Sequence, residues 1–255
     1  MLQIEILSPN EIEKATQIFH RDGFVGIKDA LSPEQLKFAQ DGAYRIIDEQ
    51  TKATELEAAN RGFARYSFGD QIRNPEWSML IDLPATAPIL EAIWNSAEYS
   101  CMGGGGDYSV PGAKIQPLHS DMGEFFHDPW HQVSIHDVPA PFVVVNFLMI
   151  DFTRENGAIR FVPGTQRSHN SIPTLDEEPE WMKNSIICAP AGTAIIRDVR
   201  CWHAGTSNTS QEIRPMTSIG YFAPWFRGYS DTDCIPDEIY ETLSPRARHL
   251  CRFIR

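Results

Sequence analysis

The chain has 255 residues, 42% of them hydrophobic and 22% charged, which is the composition of an ordinary globular protein and excludes a disordered, collagen-like or coiled-coil chain. Its net charge of −12 argues against a nucleic-acid partner, because a polyanion binds to a basic surface. The longest strongly apolar stretch, Phe142 to Ile150, is too short for a membrane helix, so no membrane partner is expected.

The first hundred residues are predicted to form a mainly helical layer. Ser-Pro signals at residues 8–11 and 32–35 have the pattern of a capping box with proline in the first turn, so each predicts the start of a helix. The first helix is expected to end near residue 21 and the second near residue 49. A short strand is predicted over Phe24–Ile27, and another short helix over 84–95.

After about residue 100 the pattern changes to short apolar runs separated by Pro, Gly and Asn-Gly turns, which indicates a jelly-roll type of sandwich or barrel. We predict a single domain with a helical layer at about 1–100, a barrel core at about 101–228 and a C-terminal tail at 229–255. The run Gly103–Gly106 lacks the lysine and Ser/Thr of a phosphate loop, and we expect a flexible connection there. The candidate strands are 113–118, 142–150, 158–162, 185–188, 193–198 and 216–222.

Three residues in this second part have the chemistry of a metal site. His119 and Asp121 follow the candidate strand ending at Leu118, and residues two apart on a strand point to the same side. His203 lies 84 residues later (203 − 119), after the strand 193–198, as expected for ligands from different strands of one barrel. Two imidazoles and one carboxylate form the facial triad of non-haem Fe(II) oxygenases, although a His-x-Asp sequence alone is also common in solvated turns.

An arginine strengthens this interpretation. Arg214 lies 11 residues after His203 (214 − 203), just before the candidate strand 216–222. A dicarboxylate co-substrate in a buried pocket needs a cation at its far end, and a guanidinium matches a carboxylate with two parallel hydrogen bonds. The alternative, an arginine on the surface, is the commoner situation for a single arginine.

Together these residues resemble the phytanoyl-CoA dioxygenase (PhyH-like) family. The resemblance lies in His119-Ser120-Asp121, in the stretch from Glu155 to Thr165, in Trp202-His203 with Arg214, and in the segment from Gly23 to Glu34. It covers about residues 10–228. It implies a double-stranded β-helix (jelly-roll or cupin-like) core, and an enzyme that uses Fe(II), 2-oxoglutarate and O2.

The resemblance also implies residue roles. His119, Asp121 and His203 would bind the iron, and Arg214 the distal carboxylate of 2-oxoglutarate. Gln116 matches a position that contacts 2-oxoglutarate in several relatives, notably fungal tailoring enzymes.

Where many relatives have another co-substrate contact, a threonine, this chain has Ile159. Our candidate replacement is Asn146, a polar residue within an apolar strand, since a buried amide needs partners. An amide bonded to neighbouring backbone is an equally good interpretation of Asn146.

Several other residues could mimic a site. His127 and His131 have a helical metal-binding spacing, but Pro129 between them argues against a regular helix, and they and His136 are expected in a loop or substrate pocket. Cys201 is too close in sequence to His203 for a nucleophile pair. The remaining candidates are aromatic side chains that would either line a substrate pocket, under lids at 60–75 and 123–140, or simply pack in the core: Tyr66, Phe68, Phe125, Phe126 and Trp130.

We therefore expect a dioxygenase that oxidises an unactivated C–H of a small molecule by hydroxylation, desaturation or ring formation, with secondary-metabolite tailoring as the favoured role. The alternatives are an amino-acid or acyl-CoA hydroxylase of the same family, a non-catalytic binding protein on the same barrel, and a zinc hydrolase. No secretory signal is visible, and five cysteines without CxxC spacing favour reduced thiols, so a cytoplasmic protein is expected. Of partners, we expect a small-molecule substrate and allow for a homodimer.

Overall fold

A computed structural model describes residues 4–228 and 234–255 of the chain. Its helices lie mainly before residue 100 and again near the C-terminus. No helix in these two ranges is long and apolar enough to cross a membrane. The α-helices are α1 (Ile12–Asp22), α2 (Pro33–Ala53), α3 (Pro75–Ser78), α4 (Ala87–Trp94), α5 (Glu180–Lys183), α6 (Asp237–Tyr240) and α7 (Pro245–Leu250).

The strands form one large and one small sheet. The large sheet has seven strands in the order β1-β2-β7-β5-β9-β4-β3, and the small sheet pairs β6 with β8. Every neighbouring pair in the large sheet is antiparallel except β1 with β2. The strands are β1 (Ile6–Leu7), β2 (Phe24–Ile27), β3 (Arg65–Ser67), β4 (Ser100–Ser109), β5 (Phe142–Leu148), β6 (Ile159–Phe161), β7 (Ala194–Asp198), β8 (His203–Gly205) and β9 (Arg214–Phe222).

Two further segments extend the small sheet without forming regular strands. Single bridges join His119 to His203 on one side and Ile186 to Arg160 on the other. The small sheet therefore faces the large sheet with four segments, and the fold is mainly β with helices packed outside, as the jelly-roll prediction required. The first hundred residues add three strands to the large sheet as well as the helices.

The helix starts show which sequence signals were correct. At α2 the predicted capping box is present: the Ser32 side chain accepts from the Gln35 backbone N–H, and the Gln35 side chain accepts from the Ser32 backbone N–H. At α1 only one bond of the predicted capping box is present, from the Ser8 backbone N–H to the Glu11 side chain, and the helix begins later than predicted, at Ile12. The proline signal therefore precedes α1 by about one turn.

Three predictions about the barrel are corrected. The run Gly103–Gly106 is not a flexible connection but the middle of β4, which is paired along its length with β9. The segments 113–118 and 185–188, predicted as strands, are not regular strands: the first makes scattered backbone hydrogen bonds, and the second adds one isolated bridge at Ile186. Pro117 limits regular pairing in the first segment, because proline has no backbone N–H to donate. The other predicted strands are present within one or two residues of their predicted ends.

Candidate metal centre

A cavity of about 630 Å³ lies between the two sheets. This volume is within the range of roughly 300–1,000 Å³ that small-molecule sites occupy. Strands β4, β5 and β9 form one wall, and the segment 116–121 with β8 forms the opposite wall. The polar lining residues are Arg61, Ser67, Asp70, Asp107, Gln116, His119, Asp121, Asn146, Arg197, His203, Arg214 and Ser218, and the apolar ones include Met102, Phe142, Val144, Ile159 and Met216.

His119, Asp121 and His203 converge at this cavity. One ligand atom of each lies within 4.8 Å of the others, and no other such cluster of His, Cys, Asp or Glu occurs in residues 4–228 or 234–255. The Asp121 Oδ2 atom is 3.5 Å from His203 Nε2, and Oδ1 is 3.9 Å from His119 Nε2. The two imidazole rings are 4.4 Å apart.

The backbone fixes this convergence. His119 and His203 exchange two backbone hydrogen bonds of 3.0 Å, so their side chains lie next to each other on the same face of the small sheet. The Asp121 backbone N–H donates to the Val199 carbonyl at 2.9 Å, which holds the third residue against the turn between β7 and β8. The two segments that supply the three residues, 119–121 and 199–203, are thereby held together by main-chain contacts.

The histidine rings are oriented with Nε2 towards the carboxylate. His203 Nδ1 lies 2.9 Å from the Cys201 carbonyl oxygen, and His119 Nδ1 lies 3.2 Å from that of Pro117. Because a carbonyl only accepts, each Nδ1 would carry the proton and leave Nε2 with a free lone pair. That arrangement is the one a metal-binding imidazole uses.

The charge states suit a cation. Burial would raise the pKa of Asp121, but the Arg197 cation and, less strongly, His203 outweigh it, so this pKa lies well below its ordinary value. Burial, assisted by Arg197, lowers the pKa of His203 to about 3. At neutral pH the group is therefore one carboxylate with a neutral His203, which offers its lone pair without first losing a proton.

Arg197 is a residue that the sequence analysis did not single out. It lies on β7, its side chain is 8% exposed, and its Nη2 is 2.7 Å from Asp121 Oδ2. Its Nε donates to the Asn146 side-chain oxygen at 3.0 Å. A charged residue directly after Ile195-Ile196 in a buried strand was the available signal, because such a residue needs a buried partner.

A second charged cluster lies further along the cavity. Arg214 is 1% exposed, and its Nη1 is 3.0 Å from Asp107 Oδ1. Its guanidinium lies over the Phe152 ring at 5.0 Å. The Arg65 side chain donates to the Thr206 carbonyl at 2.8 Å.

Arg65 and Arg214 both act on Asp107. Burial raises the pKa of Asp107, but Arg214 and Arg65 outweigh it and lower the pKa overall. Burial, with help from Arg214, also lowers the pKa of Arg65 to about 10. Arg214 therefore pairs directly with this carboxylate while the charge of Arg65 acts on it without a direct contact, and Arg214 Nε has no hydrogen-bond partner among the described residues.

The two amides singled out by sequence both line the cavity, but they differ in their contacts. The Gln116 side chain is held by backbone: its oxygen accepts from the Gly205 N–H at 3.0 Å, and its NH2 donates to the Arg61 carbonyl at 2.9 Å. Asn146 is 2% exposed and bonds to the Arg197 side chain rather than to neighbouring backbone. Ile159 also faces the cavity, where the relatives' threonine was expected.

The competing candidates lie elsewhere. His127 and His131 are exposed in a non-helical segment, and His131 has a φ of 52°. His136 contacts the Gln166 carbonyl and the His169 ring. Cys201 Sγ contacts backbone carbonyls and the Thr165 hydroxyl, and burial raises its pKa to about 12.

The aromatic candidates divide between core and surface. Tyr66 and Phe68 are buried and stack on Tyr108, so packing is the correct interpretation for them. Phe125 and Trp130 are exposed, and the predicted lid 123–140 supplies none of the residues that line the cavity. The other predicted lid, 60–75, does line it.

Comparisons with known proteins agree with this geometry. The family model described as "Phytanoyl-CoA dioxygenase (PhyH)" matches residues 19–216. Dioxygenase af480 of Aspergillus fumigatus is 32% identical over 144 residues, covering 55% of this chain but only 43% of that protein. Dioxygenase trt7 of Aspergillus terreus is 23% identical over 254 residues, covering 93% of this chain and 82% of that protein.

Solved structures share the fold. EctD from S. alaskensis with bound Fe has a TM-score of 0.63 at 18% identity, covering 90% of this chain and 83% of its own. The epimerase SnoN in complex with Fe3+, alpha ketoglutarate and nogalamycin RO has a TM-score of 0.61 at 16% identity, covering 84% of each chain. At these identities the likeness establishes the architecture, a jelly-roll core of the kind predicted.

Proposed function

Since the chain belongs to the phytanoyl-CoA dioxygenase family, we propose that it is a dioxygenase dependent on Fe(II) and 2-oxoglutarate that oxidises a C–H bond of a small, largely apolar molecule. The observation that carries this proposal is the convergence of His119, Asp121 and His203 on one cavity. Their roles as the iron ligands are part of the proposal.

The residues present fit the metal. Two neutral imidazole nitrogens and a carboxylate suit Fe(II), and three protein ligands leave three positions of an octahedron open. A 2-oxo acid can fill two of these positions and dioxygen the third. Bound iron would supply the activation of dioxygen, with 2-oxoglutarate oxidised to succinate and CO2 as the substrate is oxidised.

The second charged cluster fits the co-substrate. Arg214, Arg65 and Arg61 all attract the single carboxylate of Asp107, so positive charge is in excess here and would hold a further anionic group. We assign that anion as the distal carboxylate of 2-oxoglutarate, bound to Arg214. The roles of Gln116 and Asn146 as contacts to the co-substrate remain proposals, and the backbone bonds of Gln116 suit it to shaping the wall between Arg214 and the triad.

The other end of the cavity fits an apolar substrate. Facing residues on β5, β9 and β4 form rows, and the row that pairs Val144 with Gly220 and Gly103 lies away from Arg214. Phe142 and Met102 complete this end, and each lies within 3.5 Å of where a side chain on Gly220 would begin. Gly220 thus makes room for Phe142 and Met102, which give this end of the cavity an apolar surface.

These features favour a neutral molecule over an amino acid or an acyl-CoA. An amino acid carries two charges that would need partners when buried, whereas Phe142, Met102 and Val144 supply none. Among the proteins that share this fold, SnoN is an epimerase from nogalamycin biosynthesis, which supports a role for the fold in tailoring secondary metabolites. Hydroxylation, desaturation and ring formation are all within reach of the same chemistry.

An anaerobic titration tests the proposal. Fe(II) and 2-oxoglutarate added together should give a weak visible charge-transfer band, whereas either alone should not. Air should then release succinate in proportion to product when a substrate is present. A protein that shows no band would be a binding protein, and turnover with Zn(II) in the absence of 2-oxoglutarate would identify a hydrolase.

A further inference from the structure

The guanidinium of Arg197 is placed against one particular oxygen of Asp121. Its Nη2 is 2.7 Å from Oδ2, which also lies 3.5 Å from His203 Nε2, whereas Oδ1 lies 3.9 Å from His119 Nε2. Its Nε bonds to Asn146, and its Nη1 has no hydrogen-bond partner within the described residues. The side chain is 8% exposed and lines the cavity.

The backbone gives this side chain little freedom. Arg197 pairs with Phe24 on β2 and with Val144 on β5, so its main chain is fixed from both sides in the interior of the large sheet. One hydrogen bond to Asn146 and the ion pair with Asp121 then hold the head group between these two residues. A buried guanidinium held in this way is a rigid donor rather than a surface cation that samples many rotamers.

Attraction for a metal does not explain the presence of Arg197. A positive charge beside a metal ligand repels an incoming cation, and it competes for the same carboxylate. Arg197 therefore lowers metal affinity unless it supplies something that the reaction needs.

The number of open metal positions is what the arginine can control. A carboxylate free to rotate can bind a metal through both oxygens, and then only two positions of an octahedron remain open. A 2-oxo acid and dioxygen together need three. An arginine paired with Oδ2 occupies that oxygen, so that Oδ1 remains as the coordinating atom and all three positions stay open.

We propose that Arg197 is a positioning residue that restricts Asp121 to coordination through one oxygen and so preserves the positions at which a 2-oxo acid chelates the metal. This inference rests on the proposed function. Arg197 acts through Asp121, and its hydrogen bond to the Asn146 side chain helps to hold the guanidinium in this position.

The test compares metal affinity with 2-oxo acid affinity in Arg197→Met and Arg197→Lys. For Arg197→Met we expect Mn(II) binding, measured by EPR without co-substrate, to be unchanged or tighter. The anaerobic charge-transfer titration with Fe(II) should show 2-oxoglutarate binding weakened about tenfold or more, because the chelating acid must then displace the second oxygen of Asp121 from the metal. Lysine keeps the charge and one donor, so it should recover part of this loss.

Pyruvate binding distinguishes the role of Arg197 from that of Arg214. Pyruvate has the chelating end of 2-oxoglutarate but no distal carboxylate, so Arg197→Met should weaken the binding of both acids by a similar factor. Arg214→Ala should weaken the binding of 2-oxoglutarate and leave the binding of pyruvate almost unaffected. The matched control is Arg200→Lys, which alters another buried Arg–Asp pair, with Asp198, that does not line the cavity.

The outcomes are distinct. Parallel weakening of Mn(II) and 2-oxo acid binding would show that Arg197 only supports the fold, and unchanged 2-oxo acid binding would also overturn the inference. If Arg197→Met does not fold, Arg197→Lys decides by the same two titrations. No charge-transfer band in the unaltered protein would overturn the proposed function, and the inference with it.

Discussion

At the residue scale, the strongest expectation concerns which histidines hold the metal. Replacing His203 by Ala removes one of two neutral nitrogen donors, so we expect iron content to fall to near background and turnover to stop. Replacing His136, which bonds to Gln166 outside the triad, should leave both near normal. Iron analysis of the two purified variants checks this, and stoichiometric iron in His203→Ala would remove the triad from consideration.

Arg214 should govern co-substrate affinity and not metal affinity. Arg214→Ala removes a charge-assisted pair worth about 2–5 kcal/mol when the other charge stays buried. The apparent 2-oxoglutarate requirement should therefore rise about 30-fold or more, since about 1.4 kcal/mol is a factor of ten. Lysine should rescue only partly because it cannot present two parallel donors.

Succinate release as a function of 2-oxoglutarate concentration measures this effect, with Mn(II) affinity as the control. Without Arg214, the Asp107 carboxylate loses its direct partner and keeps only the attraction of Arg65 and Arg61, so it would also repel the distal carboxylate of 2-oxoglutarate. Unaltered 2-oxoglutarate kinetics in Arg214→Ala would place the distal carboxylate at another cation.

The sequence predicted the residues of the site unevenly. His119, Asp121, His203 and Arg214 were found because their residue types and spacing form a pattern. Arg197 was passed over because it lies inside a predicted strand, where only a partner 76 positions away in sequence (197 − 121) explains its charge. Such long-range pairing is not readable from one sequence.

At the element scale, β4 is the longest of the strands that sequence reasoning missed, the others being β1, β3 and β8. Glycine has low strand propensity, so four glycines in a row predicted a flexible segment. The structure shows that neighbours occupy the space of the missing side chains. A Cβ on Gly105 would lie 2.5 Å from the Gly69 carbonyl oxygen, and one on Gly104 would lie 2.9 Å from Ile219. Close packing, not flexibility, requires glycine here.

Gly106 provides the test of this interpretation. A Cβ there would lie 2.1 Å from the Met216 carbonyl oxygen, and its φ of +120° strains any other residue. Strained backbone costs about 1–3 kcal/mol and overpacking a similar amount, so Gly106→Ala should lower the free energy of unfolding by about 3 kcal/mol or more. Gly123→Ala, with nothing within 4 Å, should change it by less than about 0.5 kcal/mol. Urea denaturation of both variants decides, and equal stabilities would contradict the packing argument.

At the scale of the whole molecule, the proposed ligands come from both sheets. His119 and His203 belong to the edge of the small sheet, and Arg214 belongs to β9 of the large sheet. The sequence predicted this architecture through its combination of motifs, but not which segments face each other across the cavity, because that depends on strand order. A metal with a 2-oxo acid bound to it would connect the two sheets.

Thermal unfolding should therefore respond to metal and co-substrate in a linked way. A ligand at about 100 times its dissociation constant adds about 2.7 kcal/mol of stability, which shifts the midpoint by about 5–10 °C in a domain of this size. Mn(II) by itself should raise the midpoint, and 2-oxoglutarate should add a second increment only when Mn(II) is present, because its chelating end needs the metal.

In Arg214→Ala the increment from Mn(II) should persist while the increment from 2-oxoglutarate shrinks. Pyruvate should give a smaller increment than 2-oxoglutarate in the unaltered protein and an equal one in Arg214→Ala, because only the distal carboxylate distinguishes the two acids. A 2-oxoglutarate increment that is independent of Mn(II) would mean that the two ligands occupy separate sites, and the connection between the sheets through one cavity would be wrong.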